Sequence, residues 1–378
     1  MAGTAVVAGG GIGGLSAAIG LRLSGWTVTV LERVPTLRPV GAGLVLQANG
    51  LRCLDALGLG SSVRDRGRVD TAGGTRRSDG RWLARIPVGE LDRMIGTPAV
   101  GIHRAALHEI LLGALPAGAV VTGAEVTGVT ADGEVTYRTG DRTARISADL
   151  VVGADGVRSL VRRLLWPDAA VPVPIGVTAW RGISPPWTGD LDVAISWDRG
   201  AEFGVVPLVD GRVYWFASVN AAPGGRAADE RAAVRDRFGG WHDPIPELID
   251  ATDTVLRDDL ACLDPPLRTY VTGRVALLGD AAHAMTPNLG QGGNQALEDA
   301  VVLAAVAGRP DGLAEYDRQR RPRSQRVARA SRAIGRYGQQ LHHPLAVAAR
   351  NTVMRLTPPR LALRSMARYA DWHPPALG

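Results

Sequence analysis

Apolar positions along this chain fall into short runs punctuated by glycine. Residues 4–8 form a continuous apolar run of strand length. A glycine cluster follows, and Ile12 to Leu23 then carries helical spacing, with Gly25 where a C-cap falls. Thr27 to Leu31 reads as the next strand, ending at Glu32, so the chain opens with a βαβ unit. Residues 35–47, with Pro35, Pro39, Gly41 and Gly43, read as a loop entering a strand. Asn49 to Leu57 and Arg104 to Leu115 read as helices, and residues 71–86 as a hairpin around Asp79-Gly80. Two hairpin-like runs span 119–147, and the apolar run from Leu150 to Ala154 ends at Asp155-Gly156. Residues 171–220 carry Val, Trp, Phe and Tyr in short runs broken by Pro185-Pro186 and Asp210-Gly211, which predicts an antiparallel sheet. A helical stretch over 227–256, a strand over Val275 to Leu278, and helices from Gln295 to Ala307 and Leu313 to Arg336 complete the pattern. With no repeat and no low-complexity linker, the sheet region reads as an insertion that splits the first domain.

Composition narrows the chemistry. The 378 residues suit two or three domains, and 46% hydrophobic with 21% charged residues is a globular profile. All 43 basic residues are arginine. The absence of lysine excludes Schiff-base catalysis on pyridoxal phosphate, P-loop nucleotide hydrolysis and serine–lysine hydrolases. The net charge of +6 is spread along the chain and aromatics are only 5%, which favours a small anionic cofactor over nucleic acid. Cys53 and Cys262 stand far apart with no metal-ligand pattern, and read as buried small hydrophobes. Residues 1–21 carry no charge, but seven of residues 2–21 are glycine, so they read as strand and turn rather than a targeting segment. No other uncharged stretch approaches the ~20 residues of a span, and a cytoplasmic enzyme without a membrane span is expected.

Three glycine-bearing turns carry the chemistry. Gly9, Gly11 and Gly14 form G-x-G-x-x-G between a strand and a helix, with Glu32 placed 21 residues after Gly11 to accept from ribose hydroxyls. The open helix N-terminus offers its N–H groups and dipole to a pyrophosphate. Gly279-Asp280-Ala281-Ala282-His283 follows an apolar strand and continues through Pro287, Gly290, Gln291, Gly292 and Asn294, a turn that opens a helix. Asp155-Gly156-Val157-Arg158-Ser159, with Arg162 beyond, also follows an apolar strand. Its local reading is a strand-to-helix turn with a capping aspartate.

Together these motifs resemble the class A flavoprotein aromatic monooxygenases, the group of p-hydroxybenzoate hydroxylase, over residues 4 to 340. The short single-component members are most similar: salicylate and 3-hydroxybenzoate hydroxylases, FAD-dependent urate hydroxylase and zeaxanthin epoxidase. The resemblance implies an α/β fold, with a Rossmann-type, glutathione-reductase-like FAD-binding domain interleaved with an α+β substrate domain on an antiparallel sheet. The FAD-binding domain is expected over 1–70, 100–175 and 265–340, the substrate domain over 71–99 and 176–264, and a helical segment over 341–378. Leu31-Glu32-Arg33 resembles the ribose and adenine contact, Val40-Gly41-Ala42-Gly43 the segment beside the isoalloxazine, and His103-Arg104 the segment whose arginine contacts FAD. Asp155 resembles a residue serving both FAD and NAD(P)H, Asp280 the ribityl-binding aspartate, and Gly290 to Asn294 the loop near the flavin pyrimidine. Two departures stand out. A C-terminal thioredoxin-like domain is not expected, and Glu202 stands where the urate hydroxylases suggest arginine, which argues against urate.

The implied reaction uses non-covalent FAD, with NADPH or NADH as transient reductant, and passes oxygen from O₂ through a C4a-hydroperoxide to a small aromatic, heteroaromatic or polyene-type substrate. A monomer or homodimer is expected. Arg181, Tyr214 and Gln291 are candidate catalytic residues, and Arg181, Glu202 and Tyr214 candidate pocket residues. Each also has a structural reading: an ion pair for Arg181, a solvent-facing strand for Glu202, a core aromatic for Tyr214. His283 reads as structural. The arginines between Arg318 and Arg336 read as a solvated helix face, with a steering patch as the sharper alternative. A flavin reductase or oxidase on the same fold, and a redox sensor, remain competing functions.

Overall fold

The computed structural model describes residues 3–37, 42–69, 73–86 and 89–377. The βαβ unit forms as its pattern dictates: strand Thr4–Ala8, helix Ile12–Leu23, strand Thr27–Glu32. These strands sit in a six-stranded sheet ordered Val271–Thr272, Val275–Leu277, Leu150–Gly153, Thr4–Ala8, Thr27–Glu32, Val120–Thr122. The pairings are parallel except for the first, an antiparallel hairpin. The charge-free opening has a packing cause. Helix Ile12–Leu23 is buried over most of its length against helix Gly292–Val306. A Cβ on Gly20 would stand 2.9 Å from that of Ala304, and one on Gly13 2.8 Å from Leu278 Cδ1, so small residues set the close approach.

The second sheet has seven strands, ordered Val255–Cys262, Val173–Ser184, Val213–Asn220, Ala201–Pro207, Val193–Asp198, Gly73–Arg77, Trp82–Ile86. One face packs Trp180, Phe203, Trp215 and Ala217 under helices Glu230–Phe238 and Ile245–Asp250, with Phe203 stacked on Trp215 at 5.3 Å. The opposite face carries Val206 and Tyr214, which pack with Ala42 and Leu208, joined by Val45, Ile183 and Phe216. Strand Gly43–Leu46 thus meets the second sheet while pairing with Val100–His103.

Three expectations change. The stretch 227–256 breaks at Gly239-Gly240 into two short helices, and its end begins the edge strand Val255–Cys262, whose charged run Arg257-Asp258-Asp259 masks any alternation. Within 119–147, Val120–Thr122 joins the parallel sheet, and the rest is a three-stranded meander of Ala124–Val129, Glu134–Thr139 and Arg142–Ser147. The arginine-rich helix, Gly312–Tyr337, is not a uniformly solvated face: Arg320 is buried against Glu298 and Asp299. Helices Pro344–Leu356 and Pro359–Ala370 end the chain. Beyond them Asp371 pairs with Arg52 at 2.9 Å, and the Trp372 ring lies 5.5 Å from the Arg323 guanidinium.

Candidate functional site

Parallel neighbours bring the three sequence turns together. Strands Thr4–Ala8, Leu150–Gly153 and Val275–Leu277 are adjacent, and each runs into its turn at the same end of the sheet. Gly9 has φ +111°, and a Cβ there would meet Ala154 O at 2.5 Å; one on Gly14 would meet Gly9 O at 2.0 Å. Gly11 differs, since a Cβ there meets nothing within 4 Å. The helix that starts after Gly11 has no side-chain cap, so its first N–H groups face that open space.

Glu32 is held in place by its own surroundings. Its carboxylate accepts from Gly10 N at 2.7 Å and Val34 N at 2.9 Å. Arg33 beside it is exposed. Sequence reasoning missed His108, whose Nε2 lies 2.8 Å from Gly10 O; its position one turn after Arg104 was the only signal. Asp155 caps the following helix, accepting from Leu160 N at 2.6 Å and Val161 N at 3.1 Å. Its Oδ1 is buried with no partner among the described residues. Arg162, also unassigned from sequence, is buried and donates to Val157 O at 2.6 Å and Ala281 O at 2.7 Å, tying two turns together. Asp280 stands exposed at the start of the short helix Asp280–His283.

The second glycine turn is built on a buried polar network. Pro287 starts a 3₁₀ turn and Gly290 ends it at φ +62°. Gly292 and Gly293 open helix Gly292–Val306, with no side-chain cap and nothing within 4 Å of either Cβ position. Asn294 turns inward: Oδ1 accepts from Gln47 N at 3.0 Å, and Nδ2 donates to Gly290 O at 2.9 Å and Val45 O at 3.2 Å. Gln291 is likewise engaged, donating to Gln47 Oε1 at 2.7 Å and accepting from Asn49 Nδ2 at 2.9 Å. It positions the turn instead of standing free toward a substrate. Below it, Asn49 donates to Glu298 at 2.7 Å, and Arg320 binds both Glu298 and Asp299. His283 Nε2 meets Asp299 Oδ2 at 2.6 Å, the structural placement the sequence favoured. Burial pushes the Asp299 carboxyl up, but His283 and Arg320 outweigh it and hold it well below the usual range.

On the sheet side, Tyr214 packs directly over Gly43, where a Cβ would come within 2.5 Å of its ring. Its hydroxyl makes no hydrogen bond among the described residues, and burial pushes its pKa up to about 12. Val40 and Gly41 lie outside the described residues. Glu202 is not solvent-facing: it is 5% exposed and accepts from Ser218 Oγ at 2.9 Å and Trp197 Nε1 at 3.0 Å. Burial raises its pKa against those two donors. Arg181 pairs with Asp258 at 3.3 Å. Both line a cleft of 630 Å³ between Ala42 and Arg104 on one side and the edge strand on the other. Burial in this cleft lowers the Arg104 pKa, helped by the Arg181 charge and opposed by that of Asp280.

The two open glycine cradles, the uncapped helix starts and the orphaned Asp155 oxygen fit a dinucleotide. A family model described as FAD binding domain matches residues 3–331. The aurachin C monooxygenase/isomerase of Stigmatella aurantiaca is 38% identical over 93% of this chain and 94% of its own length. The 3-amino-4-hydroxybenzoate 2-monooxygenase of Streptomyces cremeus is 38% identical over 89% of this chain and 87% of its own. The crystal structure of Klebsiella pneumoniae HpxO with FAD and uric acid superposes with a TM-score of 0.86 at 30% identity, covering 97% of this chain and 96% of that one.

Proposed function

The chain belongs to the FAD binding domain family and is an FAD-dependent monooxygenase of the class A flavoprotein type; from that premise we propose that it uses NAD(P)H and O₂ to hydroxylate, or epoxidise, a small aromatic or heteroaromatic compound. The observation that supports this best is the apolar wall of Ile183, Val206, Tyr214 and Phe216, packed toward Ala42 and Val45, the latter tied to the second glycine turn by Asn294. The division proposed is FAD on 1–70, 100–175 and 265–340, and substrate on 71–99 and 176–264.

Gly9, Gly11 and Gly14 with the start of helix Ile12–Leu23 would hold the FAD pyrophosphate, Glu32 a ribose, and Asp280 the ribityl chain. FAD when bound supplies the oxygen-activating chemistry. The rest falls to side chains and backbone. The N–H groups at Gly292 and Gly293 stabilise negative charge at the helix start, where loss of one donor costs about 2.7–4 kcal/mol of barrier. Asn294 and Gln291 fix that turn through Gln47. The apolar wall excludes water from the reacting centre. Tyr214, neutral at working pH, offers an O–H donor at the margin of that wall.

Purified protein should be yellow and bleach with NADH or NADPH under anaerobic conditions. Reductant consumption should rise with the right substrate, with oxygen-18 from O₂ entering the product. A colourless protein that takes up no FAD would overturn the reading.

A further inference from the structure

The last two helices carry an apolar and basic surface that folding alone does not account for. No acid stands between Asp317 and Asp371, while helices Pro344–Leu356 and Pro359–Ala370 hold Arg350, Arg355, Arg360, Arg364 and Arg368. Helix Pro344–Leu356 is fixed on its inner side. Val347 and Asn351 are buried, and Arg350 donates to Gly338 O at 2.7 Å with its guanidinium 5.3 Å from the Trp197 ring. The other side carries Leu345, Ala348, Ala349, Thr352, Val353 and Leu356, all exposed, at the three- and four-residue spacing of one helix face. Leu345, Val353 and Leu356 are 75%, 64% and 77% exposed. An apolar stripe along this helix therefore points away from the protein, the reverse of a helix packed only for its own core. In the next helix Arg360, Arg364 and Arg368 are exposed at four-residue spacing, with Leu361 beside them, while Leu363, Ala367 and Ala370 are buried. Arg355, Arg360, Arg364 and Arg368 have no carboxylate within 4 Å among the described residues. The nearby acids do little to offset them. Asp371 pairs with Arg52, and on the neighbouring helix Glu90–Ile95 Glu90 pairs with Arg93 at 3.0 Å, which leaves Asp92.

We propose that this surface docks on an anionic lipid bilayer, with the aliphatic stripe entering the interface and the arginines meeting head-group phosphates. No helix of the described residues is long and apolar enough to cross a membrane, and the contact envisaged is that of a helix lying in the interface plane. Charge decides between occupants. In a symmetric contact with a second copy, the arginines of both copies would face one another with no acid on either helix, which is repulsive. Protein partners are anchored mainly by aromatic and arginine side chains seated in pockets, whereas the apolar residues here are leucine, valine and alanine. A bilayer takes aliphatic side chains without a matched pocket, and its anionic head groups attract arginine.

The test is co-sedimentation of the FAD-loaded full chain with phosphatidylcholine vesicles containing about one third phosphatidylglycerol, against vesicles of phosphatidylcholine alone. Wild type should sediment with the anionic vesicles and stay in solution with the neutral ones, and raising salt from about 0.05 to about 0.5 M should release it. Leu345→Gln combined with Leu356→Gln removes apolar contact at unchanged charge and should weaken partitioning about tenfold or more. Arg360→Gln, Arg364→Gln and Arg368→Gln together should weaken it roughly 100-fold, about fivefold per arginine. All five positions are exposed, so FAD content should match wild type. Val171→Gln, at a side chain 74% exposed elsewhere on the chain, should bind as wild type does. Binding to neither vesicle, equal binding to both, or an equal loss in Val171→Gln would overturn the inference. So would a dimer in light scattering that the two leucine changes dissolve, which would give the stripe to a second copy.

Discussion

Replacing Gly11 with alanine separates folding from cofactor binding. At Gly11 the backbone is ordinary, with φ −74°, and a Cβ meets no atom within 4 Å. The unliganded protein should therefore fold as well as wild type, or gain up to about 1 kcal/mol from a less flexible unfolded chain. The same methyl group enters the space left for the pyrophosphate, where overpacking costs about 1–3 kcal/mol, or roughly five- to 150-fold in FAD affinity. Gly14→Ala is the opposite case. Its methyl carbon would sit 2.0 Å from Gly9 O, a backbone atom that cannot rotate away, so the unliganded protein itself loses stability. The assay pairs FAD titration by quenching of flavin fluorescence with urea unfolding of the apoprotein. Wild-type FAD affinity in Gly11→Ala would refute the placement of the pyrophosphate, and so would a destabilised apoprotein, because it would show the space to be filled by protein.

Further outcomes follow from the site. Arg320→Met leaves Glu298 and Asp299 buried without their shared cation and should cost about 3–5 kcal/mol in urea unfolding. Because the folded-state pKa of Asp299 is depressed, its contribution is complete above the unfolded value of about 3.9 and is lost as pH falls below it. Asp299→Asn should therefore lower stability at pH 7 and flatten the acid limb of a stability–pH curve. Tyr214→Phe should leave stability within about 0.5 kcal/mol, as its hydroxyl has no internal partner, yet lower kcat/KM if that hydroxyl meets substrate. In wild type, ultraviolet titration should show no ionisation of Tyr214 below about pH 11. Gly43→Ala should disturb the Tyr214 ring and reduce kcat before FAD affinity, checked by comparing turnover with flavin content.

The parts of the fold legible in the sequence are those with local causes. Gly9, Gly14 and Gly290 are glycine because the backbone or its neighbours exclude a Cβ within a few residues of chain, so the turns announce themselves. The strand at Val255–Cys262 was hidden because its charges fall on both faces: Asp258 is exposed, while Arg257 and Asp259 pair with each other on the opposite side, so no apolar alternation marks it. The roles of Gln291, Asn294 and Glu202 were illegible for another reason. Gln47 lies 244 residues from Gln291, and Glu202 meets Ser218 only through strand register. Arg320 reads as one arginine among many until helix packing sets it on Glu298.

The strand order also sets a timetable for biosynthesis. Leu150–Gly153, buried on every residue, has Thr4–Ala8 on one side as soon as it leaves the ribosome, but its other neighbour is Val275–Leu277. About 120 residues intervene, so at bacterial-to-eukaryotic elongation rates of about 5–20 residues per second the apolar edge waits roughly 6–25 s for its partner. The Asp280 turn and the Gly292 helix arrive later still, so the cofactor meets its complete cradle only after some three quarters of the chain has been made, and until then the nascent sheet carries an unpaired apolar edge.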